Sequence, residues 1–215
     1  MKKQFLALLF IISAMNSIAI ADEADTYLKG VEAEVDSASK RKSDAQAVAS
    51  FRQAAEQGDA KAQLKLGTAY ATGEGIAKDN VQAVAWFRKA AKQGDTKAQV
   101  NLGNMLAEGQ GVAKDETEAV KWYRKAAEQG DAIAQYNLGI AYTTGEGVDR
   151  DEFQAVTWFR KAAEQGLASA QYNLGVAYAE GNGLAKDEAQ AVEWFRKAAK
   201  QGDSDAQANL KELSK

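Results

Sequence analysis

The chain has 215 residues and a formal net charge of −3, and it contains no cysteine, histidine or proline. The missing residue types exclude disulfides, thiol nucleophiles, imidazole zinc sites and a Ser-His-Asp triad, so that neither a cofactor nor a metal is expected. The slightly acidic balance argues against nucleic acid as a partner, because binding to phosphates needs a basic face.

The first 21 residues have the pattern of a secretory signal peptide. Two lysines precede an apolar run over 5–12, and Ala19-Ile20-Ala21 supplies the small-x-small pattern of a cleavage site. The apolar run is shorter than the ~20 residues that a membrane anchor needs. The sequence therefore predicts cleavage after Ala21, a periplasmic or secreted mature protein, and no stable membrane insertion.

Residues 22–57 lead into a repeat array. The stretch from Asp25 to about Lys42 predicts an N-terminal capping helix. Residues 44–57 have the pattern of the second helix of the later units, but no first helix of that pattern precedes them.

The rest of the chain follows a 36-residue period. The units are 58–93, 94–129, 130–165 and 166–201, and 202–215 form a C-terminal capping helix. All four tryptophans keep this step: Trp86, Trp122, Trp158 and Trp194. A period of this length indicates a stack of helix pairs. The predicted fold is an all-α solenoid of helix-turn-helix repeats.

Each unit carries its own helix-end residues. In the first unit Gly73 follows the first helix, where a left-handed residue is favoured. Asp79 then precedes Gln82 by three positions, which is a capping-box arrangement for the second helix. The later units repeat these residue types at the same positions. An aspartate also precedes the first helix of each unit as its N-cap, except in the fourth unit, where Leu167 replaces it.

A glycine follows the core leucine in the first helix of each of the four full units. These glycines are Gly67, Gly103, Gly139 and Gly175. A residue without a side chain at this place predicts a close approach of the two helices of a unit. The last helix has Lys211 at the equivalent position, where no second helix follows.

The units resemble Sel-1-like repeats, which are relatives of tetratricopeptide repeats. They read Ala-Gln-x-x-Leu-Gly-x-x-Tyr-x-x-Gly-x-Gly and then Ala-Val-x-Trp-Phe-Arg-Lys-Ala-Ala-x-Gln-Gly, with Leu106 in place of tyrosine and Tyr123 in place of phenylalanine. The resemblance implies a right-handed superhelix whose first helices line a concave, protein-binding surface. It also implies a non-enzymatic role in envelope assembly, regulation or host contact.

Positions that vary between units are the candidates for a partner site. At about 100° per residue, one set of them points away from the core leucine. This set is apolar and aromatic in the third and fourth units, where Tyr136 and Tyr172 are predicted to be exposed anchors. The predicted surface comprises Leu64, Val100, Ile133, Tyr136, Ile140, Tyr172 and Val176. The favoured interpretation is that the protein is a monomer and binds a protein or peptide on this surface.

A column of asparagines flanks this surface. Its members are Asn101, Asn137 and Asn173. An asparagine amide offers both a donor and an acceptor, so the column can bind either a peptide backbone or a neighbouring helix. The sequence leaves both interpretations open.

Two other functions stay open as alternatives. Ser37 and Lys40 match the Ser-x-x-Lys motif of penicillin-recognising enzymes, and carboxylates are plentiful, which allows a periplasmic hydrolase. However, the chain contains neither Ser-Asp-Asn nor Lys-Thr-Gly. A polysaccharide-binding module is the second alternative, with Tyr136, Tyr172 and the tryptophans as stacking surfaces. The recurrence of the tryptophans with the period favours packing between units instead.

Overall fold

In a computed structural model, which describes residue 29 and residues 33–213, the chain is a stack of ten α-helices. The first, α1, spans 33–56. The others are α2 (Ala60–Thr72), α3 (Asn80–Lys92), α4 (Thr96–Glu108), α5 (Glu116–Glu128), α6 (Ala132–Thr144), α7 (Glu152–Glu164), α8 (Ala168–Glu180), α9 (Glu188–Lys200) and α10 (Ser204–Leu213). The predicted signal peptide lies outside the described residues. None of the described helices is long and apolar enough to cross a membrane.

Helix α1 is continuous where the sequence analysis places a boundary. The predicted capping helix and half-repeat helix meet near residue 43, yet 33–56 form one helix. No glycine or proline interrupts this alanine-rich segment, so nothing ends the helix there. Its first eleven residues, 33–43, are exposed.

The predicted helix ends are confirmed. Asp79 Oδ1 accepts a hydrogen bond from the Gln82 amide at 3.0 Å, and Gly73 ends α2 in the left-handed conformation with φ +81°. Leu167 makes no capping bond, as predicted. At Asp115 the backbone N–H already donates to the Leu106 carbonyl at 2.9 Å. The reciprocal bond of the predicted capping box, from this N–H to the side chain of Glu118, is therefore not formed, and Glu118 contacts Arg88 and Trp122 instead.

The two helices of a unit cross at the glycine column. A Cβ atom placed on Gly139 would lie 2.5 Å from Cε1 of Phe159 on the second helix. In the other units the nearest ring atom lies at 2.5–2.7 Å from such a Cβ, at Gly67 with Phe87, Gly103 with Tyr123 and Gly175 with Phe195. Only a residue without a side chain allows this crossing, which confirms the predicted close approach.

A buried glutamine joins consecutive units. Gln135 Nε2 donates to the Ala127 carbonyl of α5 at 3.1 Å, and its Oε1 accepts from Gln165 Nε2, just after α7, at 2.8 Å. The same arrangement recurs at Gln63, Gln99 and Gln171. Each of these glutamines thus connects its own first helix to the second helices on both sides. The sequence analysis assigned them no role.

Candidate functional site

A groove of about 630 Å³ runs along the first helices of the first three units. We call it the N-terminal groove. The side chains that define it are Val48, Phe51, Leu64, Val100, Asn101 and Ile133. These residues come from α1, α2, α4 and α6, so the groove crosses several units and has a mainly apolar floor.

Four of the ten predicted partner-binding residues line this groove: Leu64, Val100, Asn101 and Ile133. Ile133 is 53% exposed, as a contact residue would be. Val100 is buried, which corrects the expectation of an open position, because neighbouring helices cover most of its side chain. The structure therefore brings four of the candidates together in the first three units and leaves the other six outside this groove.

The two tyrosines predicted to be exposed anchors are half-buried, so that expectation is wrong. The Tyr136 ring lies 5.9 Å from the Phe159 ring, measured between centroids, and the Tyr172 ring lies 5.8 Å from that of Phe195. Each tyrosine thus packs on the second helix of its own unit. Ile140 and Val176 are likewise half-buried against the core. A role of these four residues in binding stays a prediction.

The asparagine column has different surroundings in each unit. Asn137 Nδ2 donates to Asn104 Oδ1 of α4 at 3.1 Å. This bond supports the interpretation that the asparagine binds a neighbouring helix. Asn101 lines the groove, where it is available to a ligand, and Asn173 is half-buried. In the first unit the column holds Lys65, whose Nζ lies 4.8 Å from the centroid of the Phe51 ring.

Tyr123 contributes a buried hydroxyl to the same network. Its OH donates to Asn104 Oδ1 at 2.8 Å. Burial raises the pKa of Tyr123 to about 12, and the nearby Glu108 carboxylate adds to the effect. The folded state therefore favours the neutral phenol.

We expect this shift to make stability depend on pH in the alkaline range. An unfolded tyrosine ionises near its ordinary pKa of about 10. Below that pH the contribution of Tyr123 is fully present, and it is lost as the pH rises from about 10 to about 12. Urea denaturation of wild type and Tyr123→Phe checks this, since phenylalanine occupies the position in the other three full units. The free energy of unfolding of wild type should fall more steeply above pH ~10; parallel curves would contradict the assignment.

The second helices carry a polar contact that the sequence analysis did not predict. Arg124 Nη2 donates to the Tyr142 hydroxyl of the next unit at 2.7 Å, and the pairs Arg52–Tyr70 and Arg160–Tyr178 repeat the contact. Where Leu106 replaces the tyrosine, Arg88 instead pairs with Glu118 at 2.8 Å. Glu118 also accepts from Trp122 Nε1 at 3.1 Å. The ion pair thus compensates for the missing hydroxyl.

The tryptophans are covered rather than open. A lysine Nζ lies 3.7–4.5 Å from the centroid of each indole ring, in the pairs Lys89–Trp86, Lys125–Trp122, Lys161–Trp158 and Lys197–Trp194. The two central rings, Trp122 and Trp158, are also buried. Because sugar stacking needs an accessible ring face, these contacts favour the packing interpretation over a polysaccharide site.

Ser37 and Lys40 do not form a nucleophile–base pair. Ser37 Oγ donates to the Glu34 carbonyl at 2.8 Å, whereas Lys40 Nζ lies 3.9 Å from Glu74 Oε1. A nucleophilic serine needs its base within hydrogen-bonding reach, and here Lys40 points to a carboxylate instead. The part of the chain described by the structure also contains no cluster of three potential metal-ligating carboxylates.

Comparisons with solved structures agree with this architecture. A protective antigen present in uropathogenic Escherichia coli, described as displaying an SLR fold, is 48% identical over 74% of this chain and 34% of its own, with a TM-score of 0.72. A Sel1 repeat protein from Oxalobacter formigenes is 41% identical over 80% of this chain and 68% of its own, with a TM-score of 0.73. The cysteine rich protein B of Helicobacter pylori is 25% identical over 62% of this chain and 96% of its own, with a TM-score of 0.50.

The chain thus spans about a third of the antigen's chain and two thirds of the Oxalobacter protein. No curated protein matches it. The Sel1 repeat model matches five consecutive segments, 37–59, 60–95, 96–131, 132–167 and 168–203. These segments cover α2 to α9 and residues 37–56 of the long helix α1. The chain belongs to the Sel1 repeat family.

Proposed function

We propose that this Sel1 repeat protein is a non-enzymatic scaffold that binds a protein or peptide in the N-terminal groove. The observation that carries the proposal is the groove itself, which has a volume of about 630 Å³ and a mainly apolar lining. Large open apolar depressions are uncommon on protein surfaces that bind nothing. Ile133, at 53% exposure, projects at one end of the groove and is the best candidate for an anchor.

Export of the protein is part of this proposal. The pattern of a basic start, an apolar run and Ala19-Ile20-Ala21 supports a cleaved signal peptide and a periplasmic or secreted protein. The similarity to a protective antigen supports a role in host contact. Envelope assembly and regulation are roles that the same binding surface would also serve.

The test of the proposal is a charge placed on the anchor. We expect Ile133→Asp to weaken binding of a partner captured from envelope extract more than tenfold, because loss of an anchor residue commonly costs at least ~2 kcal/mol and the aspartate also places a charge against the apolar lining. Phe153→Asp is the matched control, since Phe153 is 67% exposed on a second helix and does not line the groove. Isothermal titration with the captured partner gives both affinities. Equal affinities for the two variants would mean that the partner binds elsewhere.

A further inference from the structure

One loop of the fourth unit carries an asparagine that differs in its surroundings from the others. The loops that follow the first helices of the four full units have at their second position Glu74, Gln110, Glu146 and Asn182. Every other asparagine among the described residues lies in an α-helix. Asn182 is also followed by Gly183, and no other Asn-Gly pair occurs in the sequence. The fourth unit therefore places an Asn-Gly pair outside any helix.

An Asn-Gly pair outside a helix can react with itself. The main-chain nitrogen of the glycine attacks Cγ of the asparagine, the new N–C bond closes a five-membered succinimide ring, and the Cγ–Nδ2 bond breaks. The side-chain nitrogen leaves as ammonia, together with the proton of the glycine amide. Water then opens the ring at one of its two carbonyls, which gives aspartate or isoaspartate. Glycine favours the attack because it has no side chain that hinders the approach.

The surroundings of Asn182 leave both reacting groups accessible. Asn182 is exposed, and within the described chain its side chain makes one hydrogen bond, from Nδ2 to Glu180 Oε2 at 2.6 Å, which is also exposed. The N–H of Gly183 donates to no acceptor among the described residues. In a helix such an N–H is held by a carbonyl one turn earlier. The loop thus lacks the restraint that protects the helical asparagines.

We infer that Asn182 is a site of spontaneous covalent modification, where the side chain cyclises onto Gly183 and hydrolyses to aspartate and isoaspartate. Water is the co-reactant and ammonia is the product released, so the reaction needs no enzyme. The inference is independent of the proposed function, because the N-terminal groove is formed by α1 and the first three units. It assigns to the fourth unit a covalent change that accumulates with time.

The modification alters a close contact between the third and fourth units. A Cβ on Gly183 would collide with the carbonyl of Glu152 in α7, so the loop lies directly on that helix. Isoaspartate lengthens the main chain by one carbon just before Gly183, and this displaces the glycine from α7. Aspartate instead puts a carboxylate beside that of Glu180, where the amide now donates a hydrogen bond. We therefore expect the isoaspartate form to loosen the contact between the two units.

Peptide mapping by mass spectrometry tests the site. The purified, folded protein is incubated in neutral buffer, conversion is read from the mass gain of an amide-to-acid change, and electron-transfer fragmentation distinguishes isoaspartate from aspartate. We expect conversion at Asn182 to be at least about tenfold faster than at the helical Asn101 and Asn137. Gln110 is the matched internal control, because it precedes a glycine in the equivalent loop but has one more methylene group. It should convert at least about tenfold more slowly than Asn182, since its ring closure gives a six-membered ring.

A peptide with the sequence of residues 178–187 separates the chemistry of the pair from the effect of the fold. The pair is unrestrained in the peptide. Because the folded loop exposes both groups, we expect Asn182 in the protein to convert within about tenfold of the rate in the peptide.

Hydrogen exchange tests the consequence for the fourth unit. The isoaspartate form is separated from unconverted protein by ion exchange, since the conversion adds a negative charge. In that form the Asp187 amide, which donates to the Tyr178 carbonyl at 2.9 Å, should exchange at least about tenfold faster. The Asn182→Gln protein, incubated in the same way, should keep the exchange rate of fresh wild type.

The opposite results overturn the inference. Conversion at Asn182 no faster than at the helical asparagines, or more than about tenfold slower than in the peptide, would show that the fold protects the pair. These rates are measured within the wild-type chain, so they do not depend on the folding of a variant. Unchanged exchange of the Asp187 amide in the isoaspartate form would contradict the effect on the contact between units.

Discussion

Replacing Gly139 with leucine is expected to lower the free energy of unfolding by about 1–3 kcal/mol. The reason is the crossing of α6 and α7, where a Cβ on Gly139 would already lie 2.5 Å from Phe159 Cε1. The remaining atoms of a leucine would have to displace the ring or separate the helices. Phe159 is itself buried and cannot turn away without opening the core.

Lys211→Leu is the matched control for this prediction. Lys211 has the same repeat position in α10, where no second helix follows among the described residues. The change should leave stability within about 0.5 kcal/mol of wild type. Urea denaturation followed by circular dichroism gives both values. Equal midpoints for the two variants would refute the role given to the glycine column.

Replacing Gln135 with methionine, which has a similar length, is expected to cost about 1–3 kcal/mol. The change removes the donor to the Ala127 carbonyl and the acceptor for Gln165 Nε2. Gln165 is exposed and finds water, whereas the Ala127 carbonyl keeps the Gly130 amide as a donor and loses the bond from the buried Gln135 side chain. The loss should loosen two neighbouring units at once.

Gln207→Met is the matched control, because it removes a glutamine of the same repeat position whose hydrogen bond is exposed. Gln207 makes the equivalent bond to the Ala199 carbonyl, but it is longer, at 3.4 Å, and exposed. Water replaces such a bond at little cost, so the expected change is within about 0.5 kcal/mol. Thermal unfolding of both variants checks the comparison. A Gln135→Met protein as stable as Gln207→Met would show that the glutamines do not hold the units together.

The sequence predicts the helices, their ends and the close crossing at the glycines, because each of these features depends on residues near one another in the chain. Asp79 and Gly73 act within one turn of their own helix, and the same types return in later units. The exception, Leu167, is equally local. Repetition adds to this, because a capping pattern that recurs at the same step in each unit is hard to produce by chance.

Contacts between residues at different repeat positions cannot be predicted from the sequence in the same way. The period shows that Gln135 and Gln171 are equivalent, but not that each meets a glutamine 30 residues later. Likewise, the period shows that the arginines and the tyrosines recur, but not that Arg124 contacts Tyr142. Which columns meet depends on the rotation between successive units, and this is a property of the packed array. In hindsight, the joint change at Leu106 and Glu118 is the sequence signal for these contacts.

The candidate site shows the limit of reasoning from one helix. The face opposite a core leucine is exposed to solvent on an isolated pair of helices. In a stack, the adjacent helices cover part of it. Tyr136 therefore packs on Phe159 instead of standing open. The N-terminal groove instead lies where α1, α2, α4 and α6 come together. Variation between equivalent positions of successive units does not reveal which helices meet.

Site-specific photo-crosslinking in the native host tests the central claim most directly. A photo-reactive amino acid replaces Ile133 in the groove or, as the control, Phe153 outside it; both are exposed. After irradiation of living cells, the account predicts a discrete protein adduct at 133 and none at 153. An adduct at 153 with none at 133 would contradict the claim that the N-terminal groove is where this Sel1 repeat protein binds its partner.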